Sequence, residues 1–162
     1  MDDLKIGVIS DTHGLLRQEA LEALKGCDTI IHAGDIGGQR VLEGLSAVAP
    51  VVAVRGNMDG GEWADSLPST EVVQVGPTLV YVIHDLCGLD IDPAAAGFGA
   101  VICGHSHRPV IESLNGVFHI NPGSAGPRRF ELPVSVAIIR LRDGVLEPLL
   151  IDLNPRISDR KR

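Results

Sequence analysis

The chain has 162 residues, 44% of them hydrophobic and 22% charged, with a net charge of −7. That profile fits one globular domain with a sizeable core, and it argues against a general nucleic-acid or anionic-membrane surface, which needs a basic patch. No stretch of about 18 apolar residues is present to cross a bilayer, and Met1 to Lys5 lacks a signal-peptide pattern, so a cytoplasmic location is expected.

The first third of the chain alternates between apolar strands and amphipathic helices. Leu4 to Ser10 reads as a buried strand, and Leu15 to Lys25 has helical spacing with Gly26 as its C-cap. Asp28 to Ala33 is a second strand, Gly38 to Val48 a second helix, and Val51 to Val54 a third strand. The β-α-β-α-β order implies a parallel sheet with right-handed crossovers. Gly60-Gly61 to Pro68 reads as a loop. The second half is rich in hairpins: Glu71 to Val75 with Thr78 to Ile83, Val110 to Leu114 with Val117 to Ile120, and Val134 to Leu141 with Val145 to Ile151. Asn115-Gly116 and Asp143-Gly144 are strong two-residue hairpin turns. Pro93 to Phe98 reads as a helical turn or short helix, and Ala100 to Cys103 as a buried strand. The expected architecture is α/β: a four-layer α/β/β/α sandwich of two mixed sheets. Residues 1–153 form one domain, and the polar, basic tail 154–162 is expected to fray.

Each strand of the parallel half, and two of the second half, ends in a candidate ligand. They are Asp11 and His13, Asp35, Asn57, His84, and His105 with His107. Asp11 and His13 stand two residues apart, so an extended chain presents both to one side. Sites in open α/β sheets form at the C-terminal ends of strands. Gly14, Gly34, Gly56 and Gly104 accompany the ligands and permit sharp turns and close backbone approach. Two Asp, four His and one Asn make a mixed oxygen and nitrogen set that suits Mn, Fe, Zn, Ni or Co better than Ca or Mg. Seven ligands exceed what one ion needs and fit two that share a carboxylate. Cys27, Cys87 and Cys103 are odd in number and widely spaced, and read as buried free thiols rather than ligands.

Asp11-x-His13, Gly34-Asp35, Gly56-Asn57, His84 and Gly104-His105-x-His107 together resemble the calcineurin-like metallophosphoesterases, most of all the small bacterial and archaeal phosphodiesterases. Ile120-Asn121-Pro122-Gly123-Ser124 resembles a stretch of that small branch. The resemblance implies that Asp11, His13 and His107 bind a first metal, that Asn57, His84 and His105 bind a second, and that Asp35 bridges them. Asp35, Asn57 and His84 would also be catalytic. It implies a small phosphate-ester substrate, two divalent ions with manganese the first choice, and in-line attack on phosphorus by a metal-bridging hydroxide. Self-association into a homo-oligomer is a further implication. The same site would serve a phosphomonoesterase or nucleotide hydrolase, and the retromer scaffold subunit shares the fold as a protein-binding module. A nuclease is disfavoured by the charge.

Two positions depart from the pattern. Met58 stands where much of the superfamily has a His near the leaving group, and methionine cannot donate a proton. Asp85 follows His84 where Gly is common. Asp59 reads as a turn or capping residue before a substitute acid. His32 and His119 read as hydrogen-bonded or structural histidines. Asn121 to Ser124 reads as a tight turn that orients ligands. Arg17, Arg108, Arg128 and Arg129 read as solvated, and Trp63 as an anchor for its loop.

Overall fold

The computed structural model describes residues 3–153; the tail 154–162, expected to fray, lies outside them. Three parallel strands, β1 (Leu4–Ile9), β2 (Thr29–His32) and β3 (Val51–Ala53), form one half of the first sheet. Helices α1 (Gln18–Ala23) and α2 (Gln39–Ser46) are their crossovers, and α3 (Glu62–Asp65) follows β3. The hairpin β4 (Thr70–Val75) and β5 (Thr78–Ile83) starts the second sheet. β6 (Phe98–Ile102), β7 (Val110–Leu114) and β8 (Val117–Asn121) complete it. The last hairpin, β9 (Ser135–Arg142) and β10 (Val145–Asp152), returns to the first sheet and pairs antiparallel with β1. The sheet orders are β10-β9-β1-β2-β3 and β4-β5-β6-β8-β7. Both are mixed: β9 runs antiparallel to β1 in the first, and β5, β6 and β8 run parallel between two antiparallel edge strands in the second.

Period-2 alternation explains the layering. In β9, Ala137, Ile139 and Leu141 face the second sheet, while Val136 and Ile138 face the helices. The same split places Ile6 and Val8 of β1 between the sheets, against Val80, Val82, Ala100 and Ile102. Ile9 joins Leu24, Val41 and Leu45 under α1 and α2. The outermost layer over the second sheet is thin. A 3-10 turn (Leu86–Gly88) and the turn at 93–97 occupy it, beside a small cluster of Ile83, Val101 and Val117.

Several local expectations change. Helix α1 begins at Gln18, not Leu15, because His13 and Gly14 have φ of 46° and 86° and the chain must leave that left-handed turn first. The segment Gly60 to Pro68, expected as a loop, contains the short α3, with Trp63 packed against the helix-side core as the anchor expected. Phe98 belongs to β6 rather than to the preceding turn. Cys27 and Cys103 are buried free thiols, but Cys87 is exposed, because the 3-10 turn carries it off the end of β5. Both two-residue hairpin turns form with positive φ at Asn115, Gly116, Asp143 and Gly144, the backbone that matches strand twist.

Candidate metal centre

All seven candidate ligands converge at one edge of the two sheets. Asp11, His13 and His107 offer ligand atoms that lie within 4.8 Å of one another, and Asp35, His84 and His105 do the same. Asn57 completes the second group: its Oδ1 is 2.9 Å from His84 Nε2 and 3.2 Å from His105 Nδ1. Asp35 stands between the groups. Its Oδ2 lies 3.3 Å from His84 Nε2 and 3.9 Å from His13 Nε2. His13 Nε2 and His107 Nε2 approach to 3.3 Å.

The backbone is bent to achieve this. Asp11, His13, Asp35, His105 and His107 all have φ between 46° and 71°, a region that non-glycine residues rarely enter. Such strain, of order 1–3 kcal/mol per residue, persists where the surroundings over-determine it. The surroundings here are specific. Asp11 N–H donates to Gly34 O, His13 N–H to Asp35 O and Gly14 N–H to Ile36 O, so the β1 and β2 loops are laced together. Glycine is required where the loops touch. A Cβ at Gly104 would strike Ser10 Oγ and Asp11 Oδ2, and one at Gly34 would sit 2.6 Å from His84 Nδ1.

Outer contacts fix the ligands. Asp11 Oδ2 accepts from Ser10 Oγ at 2.6 Å and from His105 N–H at 3.0 Å. His84 Nδ1–H donates to Ala33 O at 2.7 Å, which leaves Nε2 to the cluster. Asp35 Oδ1 accepts from Met58 N–H at 2.8 Å, so Oδ2 alone is turned toward both groups. Asn121 donates through Nδ2 to Gly104 O and Ser106 Oγ, and its Oδ1 accepts from Gly123 N–H; it orients the His105–His107 loop, as the turn motif suggested.

Asp59 extends its expected turn or capping role, and Arg17 departs from its own. Asp59 is buried, and its carboxylate accepts from Ile36, Gly37 and Gly56 N–H, which clamps the β2 loop to the β3 loop. Its own N–H donates to Gly56 O, so Asp59 fills the turn and capping role expected and also grips the β2 loop. Arg17 is not solvated; its Nε and Nη2 both donate to Gly126 O. His32 is a buried, hydrogen-bonded histidine, as expected: Nδ1 accepts from Gly34 N–H and Nε2–H donates to Thr12 Oγ1, which donates to Ile36 O. Burial pushes its pKa down to about 3. Sequence reasoning missed Ser10, and missed the backbone of Met58 while weighing its side chain.

The donor set fits cations. Among the described residues Asp11 Oδ1 is buried without a hydrogen-bond donor, 3.3 Å from His107 Nε2 and 3.8 Å from His13 Nε2. An unpaired buried carboxylate oxygen is costly, and a cation among these ligands satisfies it. Burial raises the Asp35 pKa, but the His84 contact and the Met58 N–H outweigh it and hold the carboxyl below its ordinary range. Burial lowers His84, but Asp35 and the Ala33 carbonyl outweigh it and raise the group. Burial is the main cause that lowers His107.

Residues 4–144 match the calcineurin-like phosphoesterase superfamily domain. The chain belongs to that superfamily. A probable metallophosphoesterase of Methanothermobacter thermautotrophicus is 31% identical over 158 residues, covering 90% of this chain and 91% of its own. The solved structure of an archaeal phosphodiesterase superposes with a TM-score of 0.77 at 26% identity, over 92% of this chain and 99% of its own. Vps29 of Entamoeba histolytica, solved with zinc, has the same fold at a TM-score of 0.69 and 23% identity, over 93% and 100% of the two chains. The phosphoesterase thus joins a metallophosphoesterase fold to a converged set of metal-ligating residues. Among its described residues no helix is long and apolar enough to cross a membrane.

Proposed function

We propose that the enzyme hydrolyses small phosphodiesters with two divalent ions, manganese first among candidates. Asp11, His13 and His107 would hold one ion; Asn57, His84 and His105 would hold the other; Asp35 would reach both. The single observation that carries this reading is the position of Asp35 Oδ2, which faces a histidine of each group. Ions held there supply Lewis-acid polarisation of a phosphoryl oxygen and activation of water.

The chain's own residues support direct attack by water, in line with the leaving oxygen. Ser10 and Thr12 are buried, and their hydroxyls donate to Asp11 and to Ile36 O, so neither is an available nucleophile. Burial pushes the Cys103 thiol up to about 11, which keeps it protonated. His84 Nδ1–H on Ala33 O and Met58 N–H on Asp35 Oδ1 hold the ligand atoms in place before substrate arrives. Met58 is 70% exposed and its side chain supplies no proton, which favours departure of the leaving group as an anion. The acting unit is the single domain 1–153, because each ligand group draws on both sheets' strand ends. The three free cysteines support a reducing, cytoplasmic setting.

The test is metal content together with hydrolysis of bis-aryl and mono-aryl phosphates with added manganese. Two ions per chain and faster diester cleavage are expected. Faster monoester cleavage would make it a phosphomonoesterase, and a protein that binds no metal and cleaves neither would be a scaffold like the retromer subunit. Aryl diesters should be cleaved much faster than matched alkyl diesters; equal rates would mean that some other group donates a proton.

A further inference from the structure

A cavity of about 280 Å³ opens beside the second ligand group, on the outer face of the second sheet. Cys103, His119, Leu86, Val110, Asp85 and Arg108 are among the residues that line it. His105 is the wall it shares with the ligand cluster. The Nδ1 side of that ring faces Asn57, while Nε2 points to Asp85 Oδ2 at 3.7 Å. His119 Nδ1 is buried without a hydrogen-bond partner among the described residues, so that edge of the ring is not committed to the fold. We propose that this cavity is the subsite for one organic arm of the ester, and that the arm is a single ring. The proposal rests on the phosphodiesterase reading and names the class of substrate it favours.

Size and chemistry select the occupant. Ligand pockets usually span about 300–1,000 Å³, so this one takes a ring-sized group and not a whole larger ligand. Cys103, Leu86 and Val110 make part of its lining apolar. A phosphate would find no buried cation there, since Arg108 is exposed at the rim beside Asp85 and Glu112. An ester held at the cluster must send its organic arms outward from phosphorus. His105 places one exit directly against this hollow.

Phenylphosphonate and methylphosphonate are non-hydrolysable probes that differ only in the ring. As inhibitors of bis-aryl diester hydrolysis by the manganese-loaded enzyme, phenylphosphonate should bind about tenfold tighter. Val110→Trp, which fills the cavity from an exposed strand position, should bring the two inhibition constants toward equality. A second readout needs neither metal nor turnover. Phenylphosphonate added to the metal-free protein should shift the amide resonances of Cys103, Val110 and His119, and methylphosphonate should not. Equal inhibition constants in the wild type, or ring-dependent shifts elsewhere, would overturn the subsite. Ring-dependent shifts here in a protein that hydrolyses no ester would retain the subsite and overturn the catalytic reading.

Discussion

The two ligand groups use the same side-chain types in different surroundings. In the first, Asp11 is fully buried and His107 nearly so, and Asp11 Oδ2 is already taken by Ser10 and the His105 N–H. In the second, Asn57 is exposed and the His105 side chain is 45% exposed, facing Asp85 and the neighbouring cavity. Only His84 and Asp35 of that group are buried. The first group is the more enclosed of the two, and the second is the more open. Asp35 couples them, because one oxygen faces both.

Removing that coupling should have the largest effect. Asp35→Asn replaces the shared anion with a neutral amide, and several kcal/mol of charge stabilisation go with it. Turnover should fall by about 10³-fold or more, and metal content should drop below two per chain. Activity near wild type with two bound ions would show that the groups do not depend on Asp35.

The open group should also depend on a buried support that the enclosed group lacks. Asp59 ties Ile36 and Gly37 of the Asp35 loop to Gly56 of the Asn57 loop. Asp59→Ala leaves three backbone donors without their acceptor, at a cost of about 3 kcal/mol in global stability. That corresponds to roughly 6–12 °C in melting temperature for a chain of this size. Asp59→Asn, which keeps part of the acceptor set, should lose less. An unchanged melting temperature in Asp59→Ala would mean that the two loops are held otherwise.

The strand ends were legible because buried strands announce themselves by apolar runs, and polar residues placed at each end of such runs stand out. Asp11, His13, Asp35, Asn57, His84, His105 and His107 were all found that way, and the fold places them together. What was hidden is backbone geometry. Nothing in the residue types shows that five of the seven adopt positive φ, or that Met58 contributes an N–H where its side chain contributes nothing. Asp59 was legible as a turn or capping residue, but its grip on Ile36 and Gly37, 23 and 22 residues away, was not. The helices were overextended for the same reason: Leu15 and Leu16 have helical spacing, but the left-handed turn at His13 and Gly14 comes first.

Stepwise chelation should separate the two groups. A chelator titration followed by bound-metal analysis should remove the ion of the exposed group first. The two release midpoints should differ by at least about tenfold in chelator concentration. His105→Ala should weaken only the first-released ion, while His107→Ala should weaken the one retained. Simultaneous release in the wild type would erase the distinction between an enclosed and an open group.

A further effect concerns His32, which hydrogen-bonds Thr12 and Gly34 beneath the loops. Its folded pKa is about 3, against an ordinary 6.5, because burial penalises the charged ring. The unfolded chain therefore takes up a proton below pH 6.5 that the folded chain refuses, so stability falls as pH drops from 6.5 toward 3. Each pH unit in that window costs about 1.4 kcal/mol from this one group. Urea midpoints measured between pH 7 and pH 5 should decline accordingly. His32→Gln removes the titration, so its midpoint should change less over the same range, even if it starts lower for want of the hydrogen bonds to Thr12 and Gly34. A parallel decline in variant and wild type would place the acid sensitivity elsewhere, at the metal-facing histidines. The comparison is made in metal-free protein, so that proton uptake by the ligands is not confused with loss of bound ions.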